Sequence, residues 1–220
     1  MKRLLRLPIF VLIFSGLFVS MKAKADTWDN PRVKTYYSEN KEFKLIITPK
    51  KTSDKYNLWE YYKSNINPQT KKILRQKEKF LRSISEHDTI NIPCTGELYK
   101  INGTDSVLIW KRTLLNEVCP AFAIISNDGS SIATFDNWYS KGYGVNVFVV
   151  YDEKGNAKRT YKLEEISPFS INDYLMSISS IIWYDKVEYI ENDKIELVFE
   201  TRDKRKKTMI YNTKELEFEK

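Results

Sequence analysis

The stretch Ala121-Phe122-Ala123-Ile124-Ile125-Ser126-Asn127-Asp128-Gly129-Ser130-Ser131-Ile132-Ala133-Thr134-Phe135-Asp136 decides the fold. An apolar run halts at Ser126, and Asn127-Asp128-Gly129 offers side chains that bond their own backbone and a glycine able to take positive φ. A second run then starts at Ile132. Strand, turn, strand at this spacing predicts an antiparallel hairpin.

The same pattern continues in both directions. Leu98 to Ile101, Val107 to Thr113, Val145 to Tyr151 and Lys158 to Leu163 read as further strands, separated by Asn102-Gly103 and by Asp152-Glu153-Lys154-Gly155-Asn156. Ser167-Pro168 and Ser170 open a short turn or helix to about Met176. Ser180 to Tyr184, Val187 to Ile190, Ile195 to Thr201, Thr208 to Tyr211 and Leu216 to Phe218 then return to strand pattern, the last three as a hairpin ladder. The basic loop Arg202 to Lys207 within it is either a solvated tip or an anion site. Near the start, Phe43, Leu45 and Ile47 alternate with Lys44 and Ile46 until Pro49, a half-buried strand. Ala121–Ile125 and Val107–Trp110 are apolar on both faces, which predicts central strands covered on both sides.

One segment keeps a different period. After Asn67-Pro68, a cap and first-turn proline, Ile73, Leu74, Phe80, Leu81 and Ile84 recur at helical spacing, so residues 68–85 are expected to be a helix. Its other faces are basic. It either packs on a sheet with a solvated face or lies on an anionic membrane surface.

Lys2, Arg3 and Arg6 precede an apolar run, Leu7 to Val19, and Ala23-Lys24-Ala25 puts small residues where a signal peptidase cuts. Residues 1–25 therefore read as a secretory signal peptide, and 26–220 as a single β-rich domain. The run of about thirteen residues is too short to span a bilayer, so no transmembrane segment is expected after cleavage. Of the 36 Lys+Arg, Lys2, Arg3, Arg6, Lys22 and Lys24 leave with the signal, and the remaining 31 against 29 Asp+Glu amount to a net charge of +2. That argues against nucleic acid as a partner. The destination is the periplasm or the medium, an oxidising compartment. There the two cysteines, Cys94 and Cys119, are expected to form a disulfide that closes a loop of about 26 residues, a stabilisation of roughly 3.5 kcal/mol in the chain-entropy view. The alternative is a cysteine nucleophile paired with His87, the only histidine.

Ser126-x-Asp128-Gly129, the strand ending Asp136-Asn137-Trp138, the loop Gly142-Tyr143-Gly144, the strand ending Tyr151-Asp152-x-x-Gly155 and the later Ser177-x-Ser179-Ser180-x-x-Trp183 resemble a family of uncharacterised secreted bacterial proteins across residues 95–200. The hairpins also look like single β-propeller blades. The resemblance implies export and hairpins, and it carries no reaction. At about 45 residues per blade a closed propeller has too little chain, so the expected architecture is mostly β: antiparallel meander sheets in a blade-like stack or a sandwich, with one amphipathic helix before them.

Recognisable chemistry is scarce. One histidine and two cysteines lack metal-ligand spacing, and no nucleophile elbow or phosphate loop occurs, so no metal or cofactor is expected. Asp128, Asp136, Asp152 and Asp173 offer carboxylates for glycoside cleavage if two of them approach within about 5 to 9.5 Å. The densest local oddity is Asp136-Asn137-Trp138-Tyr139-Ser140-Lys141-Gly142-Tyr143-Gly144. Two readings are open. Asp136, Asn137, Trp138 and Tyr143 bind a glycan or peptide by stacking and hydrogen bonds, or they tie down a wide structural corner. The functional expectation is an exported, envelope-associated binding protein without enzymatic activity. Its rivals are a hydrolase acting on envelope glycans or peptides, and a membrane-surface protein working through residues 68–85.

Overall fold

The computed structural model describes residues 28–52 and 91–219. The expected signal peptide, the helix at 68–85 and His87 lie outside them. Strands are numbered in chain order. The first sheet holds β1 (Lys34–Tyr37), β2 (Phe43–Thr48), β5 (Thr95–Asn102) and β6 (Asp105–Thr113) in that spatial order. Two-residue strands β3 (Lys51–Thr52) and β4 (Asn91–Ile92) pair where the chain leaves and rejoins this sheet. The second sheet is β7 (Pro120–Ile125), β8 (Ser131–Asn137), β9 (Phe148–Asp152) and β10 (Ala157–Tyr161). After a one-turn helix, Leu163–Ile166, and a 3-10 turn, Ile171–Asp173, comes the small pair β11 (Leu175–Met176) and β12 (Ile181–Ile182). The third sheet is β13 (Tyr184–Glu191), β14 (Lys194–Glu200), β15 (Lys206–Asn212) and β16 (Glu217–Phe218). All pairings are antiparallel, and each large sheet is a meander.

The second sheet lies between the other two, and period-two alternation sends its side chains both ways. Ala123, Ile125, Ile132, Val149 and Tyr151 meet Phe43, Leu45, Leu98 and Trp110 of the first sheet. Their neighbours Ala133, Phe135, Phe148 and Val150, with Phe122 and Ile124 beside them, meet Ile195, Leu197, Phe199 and Tyr211 of the third. Phe135 stacks on Phe148 at 5.1 Å, and Phe148 stacks on Tyr161 at 5.7 Å. Every residue of β8 is consequently buried. Each fully buried large apolar side chain of this kind contributes roughly 1.5–3 kcal/mol.

A turn in which a hydroxyl bonds the side-chain oxygen of an Asp or Asn two residues on recurs. Ser126 Oγ donates to Asp128 Oδ1 at 2.8 Å and accepts from Ser131 N, with Gly129 at φ 71°. Ser38 Oγ donates to Asn40 Oδ1 at 2.7 Å and accepts from Phe43 N, with Lys41 at φ 59°. Thr201, Asp203 and Lys204 repeat it between β14 and β15. The first two turns also join neighbouring sheets, since Asn40 N donates to Asn127 Oδ1 and Asn40 Nδ2 to Asn127 O.

One expectation is overturned, one holds in part, and one strand was not expected. Val107–Trp110 is not central: β6 is the outer strand of the first sheet, and Val107, Leu108 and Ile109 are 56, 47 and 44% exposed, because only Trp110 reaches the core. Ala121–Ile125 is covered on both faces as expected, although its strand stands at a sheet edge. The sequence reading also missed β1, whose four residues KTYY alternate too briefly to register as a strand.

Candidate functional site

The loop 136–144 leaves the end of β8 and crosses to β12, which it joins through a parallel bridge between Lys141 and Ser180. Asp136 ends up fully buried at φ 58°. Its Oδ1 accepts from Gly142 N at 2.7 Å and from Trp183 Nε1 at 2.9 Å, while Oδ2 has no hydrogen-bond partner among the described residues. Burial raises its carboxyl pKa to about 6, against the opposing pull of the Lys141 charge and of the bonds from Trp183 and Gly142. Lys141 is displaced the other way: burial lowers it, the Asp136 charge resists, and its ammonium lies 4.1 Å from the centre of the Tyr184 ring. The tie across the core is the hydrogen bond from Trp183, which joins the end of β8 to the segment after β12.

The rest of the corner is equally committed. Asn137 is 2% exposed, and its carbonyl accepts from Ser140 N at 3.0 Å. Tyr143 is 8% exposed, with its hydroxyl donating to Ser177 O at 3.1 Å. Gly142 takes φ 73°, and a Cβ there would sit 2.7 Å from that of Ile181, so only glycine lets the loop lie this close to β12. Trp138 differs. It is half-buried, its indole donates to Asp29 O at 2.9 Å, and the Lys34 ammonium covers its ring at 4.2 Å. Trp28 and Tyr139 meet its edges at 5.3 and 6.4 Å, forming a half-buried aromatic group where the N-terminal segment crosses the loop. Asp136, Asn137 and Tyr143 thus belong to the interior, and Trp138 alone of the four site residues read from sequence reaches the surface.

Sequence reasoning missed Asn116, which is fully buried. Its Nδ2 donates to Asp136 O at 2.9 Å and to Asn146 O at 3.2 Å, and its Oδ1 accepts from Thr134 at 2.7 Å. No local pattern marks it. Trp183 lay in a quoted motif, but only the structure joins that motif to Asp136, 47 residues earlier.

The carboxylates do not assemble into a pair with Asp136. Asp152 lies opposite Ser131, at the other end of β8 and about 17 Å along the strand from Asp136. There Asp152 accepts from Lys154 N and Asn156 N of its own turn. Asp128 likewise serves its turn: burial raises its pKa, but bonds from Ser130 and Ser126 outweigh that and hold it low. Asp173 pairs with Arg205 at 3.1 Å. That contact, with Lys204–Glu200 and Lys206–Asp185, also engages three of the basic side chains of the Arg202–Lys207 loop in ion pairs, which leaves the anion-site reading of this tip little support.

The expected disulfide is not formed. Cys94 and Cys119 are both free and buried in the cluster between the first two sheets, where they pack as small apolar side chains. Burial, with the neighbouring Cys119, pushes the Cys94 thiol well up. Burial likewise pushes Cys119 up to about 12 against the pull of Lys34. Protonated, enclosed thiols are poor nucleophiles. Among the described residues no group of three or more His, Cys, Asp or Glu side chains is arranged to hold a metal ion, and no helix is long and apolar enough to cross a membrane. Comparison with protein-family models, characterised proteins and solved structures finds no match to this chain.

Proposed function

We propose that the protein is an exported binding module of the bacterial envelope, periplasmic or secreted, that takes a glycan or peptide and performs no catalysis. The observation that carries this reading is the half-buried aromatic group in which Trp28 of the N-terminal segment meets Trp138 and Tyr139 of the 136–144 loop, beside Lys34 of β1. Indole and phenol rings held by neighbours lose little freedom on binding, and they suit the apolar face of a sugar or a peptide side chain. A rigid corner beneath them keeps the rings in place. The hydrolase alternative has less behind it, since Asp136 stands apart from Asp152 and both thiols are buried and protonated. Export rests on the charge, apolar run and Ala23-Lys24-Ala25 of the first 25 residues, and the resemblance to secreted proteins agrees with it.

Intrinsic tryptophan fluorescence, titrated with soluble envelope glycan fragments and with peptides, tests the binding half. Saturable quenching that disappears in Trp138→Ala, with the fold intact by circular dichroism, is the expected result. Absence of binding to either class, or release of a cleaved product, overturns the proposal. N-terminal sequencing of protein recovered outside the cytoplasm tests the other half and should begin at Asp26.

A further inference from the structure

Five of the six outer strands of the three large sheets are shielded in recognised ways. β1 lies against β7, with Lys34 Nζ donating to Ala121 O at 3.2 Å, and this contact engages both strands. β10 exposes Lys158 and Arg159, β13 exposes Lys186 and has two register breaks, and β16 is two residues long. Charge, irregularity and brevity are the usual guards against edge pairing. β6 carries Lys111 and Arg112 at one end and one register break, but between its charged ends it leaves an apolar run uncovered. It has nine residues, pairs only with β5 among the described strands, and exposes Val107, Leu108 and Ile109 in succession.

We propose that β6 is a self-association edge: two copies of the chain pair their β6 strands antiparallel about a twofold axis at Leu108, joining two four-stranded sheets into one. The occupant follows from the strand's own charge order, acidic at Asp105 and basic at Lys111 and Arg112. Antiparallel pairing about Leu108 carries each Asp105 to the basic end of its neighbour. The bulge in β6 makes the fit closer. Leu98 pairs with Trp110 while Tyr99 pairs with Leu108, so Ile109 is the extra residue. Asp105 pairs with Asn102 and Arg112 with Gly96, and positions 96 and 102 of β5 are an even number apart, so Asp105 and Arg112 project from one face of the sheet. Two such strands about the axis place each Asp105 opposite Arg112 of the second copy, a complementary cross-strand pair made twice.

Sedimentation equilibrium of the isolated protein tests this, with Asp105→Arg, Arg112→Asp and the double reversal. A concentration-dependent dimer is expected, with each single reversal weakening association at least about tenfold and the double reversal restoring it to within about threefold. Leu108→Lys, which sets two ammonium groups together at the axis, should leave a monomer. All three positions carry exposed side chains, so circular dichroism and melting temperature should match the parent and separate lost association from lost folding. A monomer at all concentrations, a dimer indifferent to the single reversals, or single reversals not rescued by the double would each overturn the proposal. So would a monomer whose β6 instead takes up an extended peptide.

Discussion

Replacing Asp136 with asparagine should remove a pH dependence of stability that the buried carboxyl creates. In the folded chain this group titrates near pH 6, against an ordinary value of 3.8, because desolvation outweighs Lys141 and the two donated hydrogen bonds. Between those values the folded state holds the proton more tightly than the unfolded state does. The group's contribution to stability is therefore complete below about pH 3.8 and is lost as pH rises through about 6. About two pH units at 1.36 kcal/mol each give a loss of about 3 kcal/mol by pH 7. Asparagine keeps an oxygen for Gly142 N and Trp183 Nε1 and carries no titrating proton. Its amide nitrogen meets the spot where Oδ2 lacks a partner, at a cost of about 1–3 kcal/mol that does not change with pH. The difference between variant and parent is thus the quantity to measure, by urea unfolding at intervals from pH 4 to pH 8. It should shift by about 3 kcal/mol in the variant's favour between pH 4 and 7 and then level off. A flat difference curve would show that the carboxyl titrates as if exposed. A shift against the variant would show that Lys141 stabilises the carboxylate more than burial opposes it, and either result refutes the reasoning.

Gly142→Ala should cost about 2–5 kcal/mol, combining a left-handed backbone with a clash on Ile181, whereas Gly103→Ala, at φ 62° with open space around it, should cost only about 1–2 kcal/mol; chemical denaturation of both separates strain from packing. Asn116→Ala leaves Asp136 O, Asn146 O and the Thr134 hydroxyl without their buried partner and should lose about 2–4 kcal/mol in the same assay. Trp183→Ala, at a fully buried site, should cost about 3–5 kcal/mol and lower the melting temperature more than Trp138→Ala, whose ring is only half-buried. In the native protein Cys94 and Cys119 should resist alkylation, and both should react once it is denatured; one fast-reacting thiol before denaturation would contradict their burial.

The strand–turn rhythm was legible because its causes are local. Gly103, Gly129 and Gly155 all take the positive φ that their turn sequences predict. The alternation of Phe43, Leu45 and Ile47 matches the buried positions of β2. The candidate loop was legible as an oddity, and its glycines at 142 and 144 have the expected backbone. Its function was not, because aromatic and polar side chains serve a ligand or a core equally well until their surroundings are known.

What the sequence determined by itself, then, was mostly antiparallel strands in meanders and the positions of the turns, since side-chain alternation and φ preference act over two to five residues. Tertiary structure decided which apolar strands are covered. Val107–Trp110 and Ala121–Ile125 share one local pattern, yet the first lies in a strand that pairs on one side only among the described residues and the second is enclosed between two sheets. It also decided that Asp136 is a buried tie, through a tryptophan 47 residues away, and that Cys94 and Cys119 are enclosed thiols. Solvent exclusion depends on what packs against a residue, and those neighbours come from other sheets, beyond the reach of any local sequence pattern.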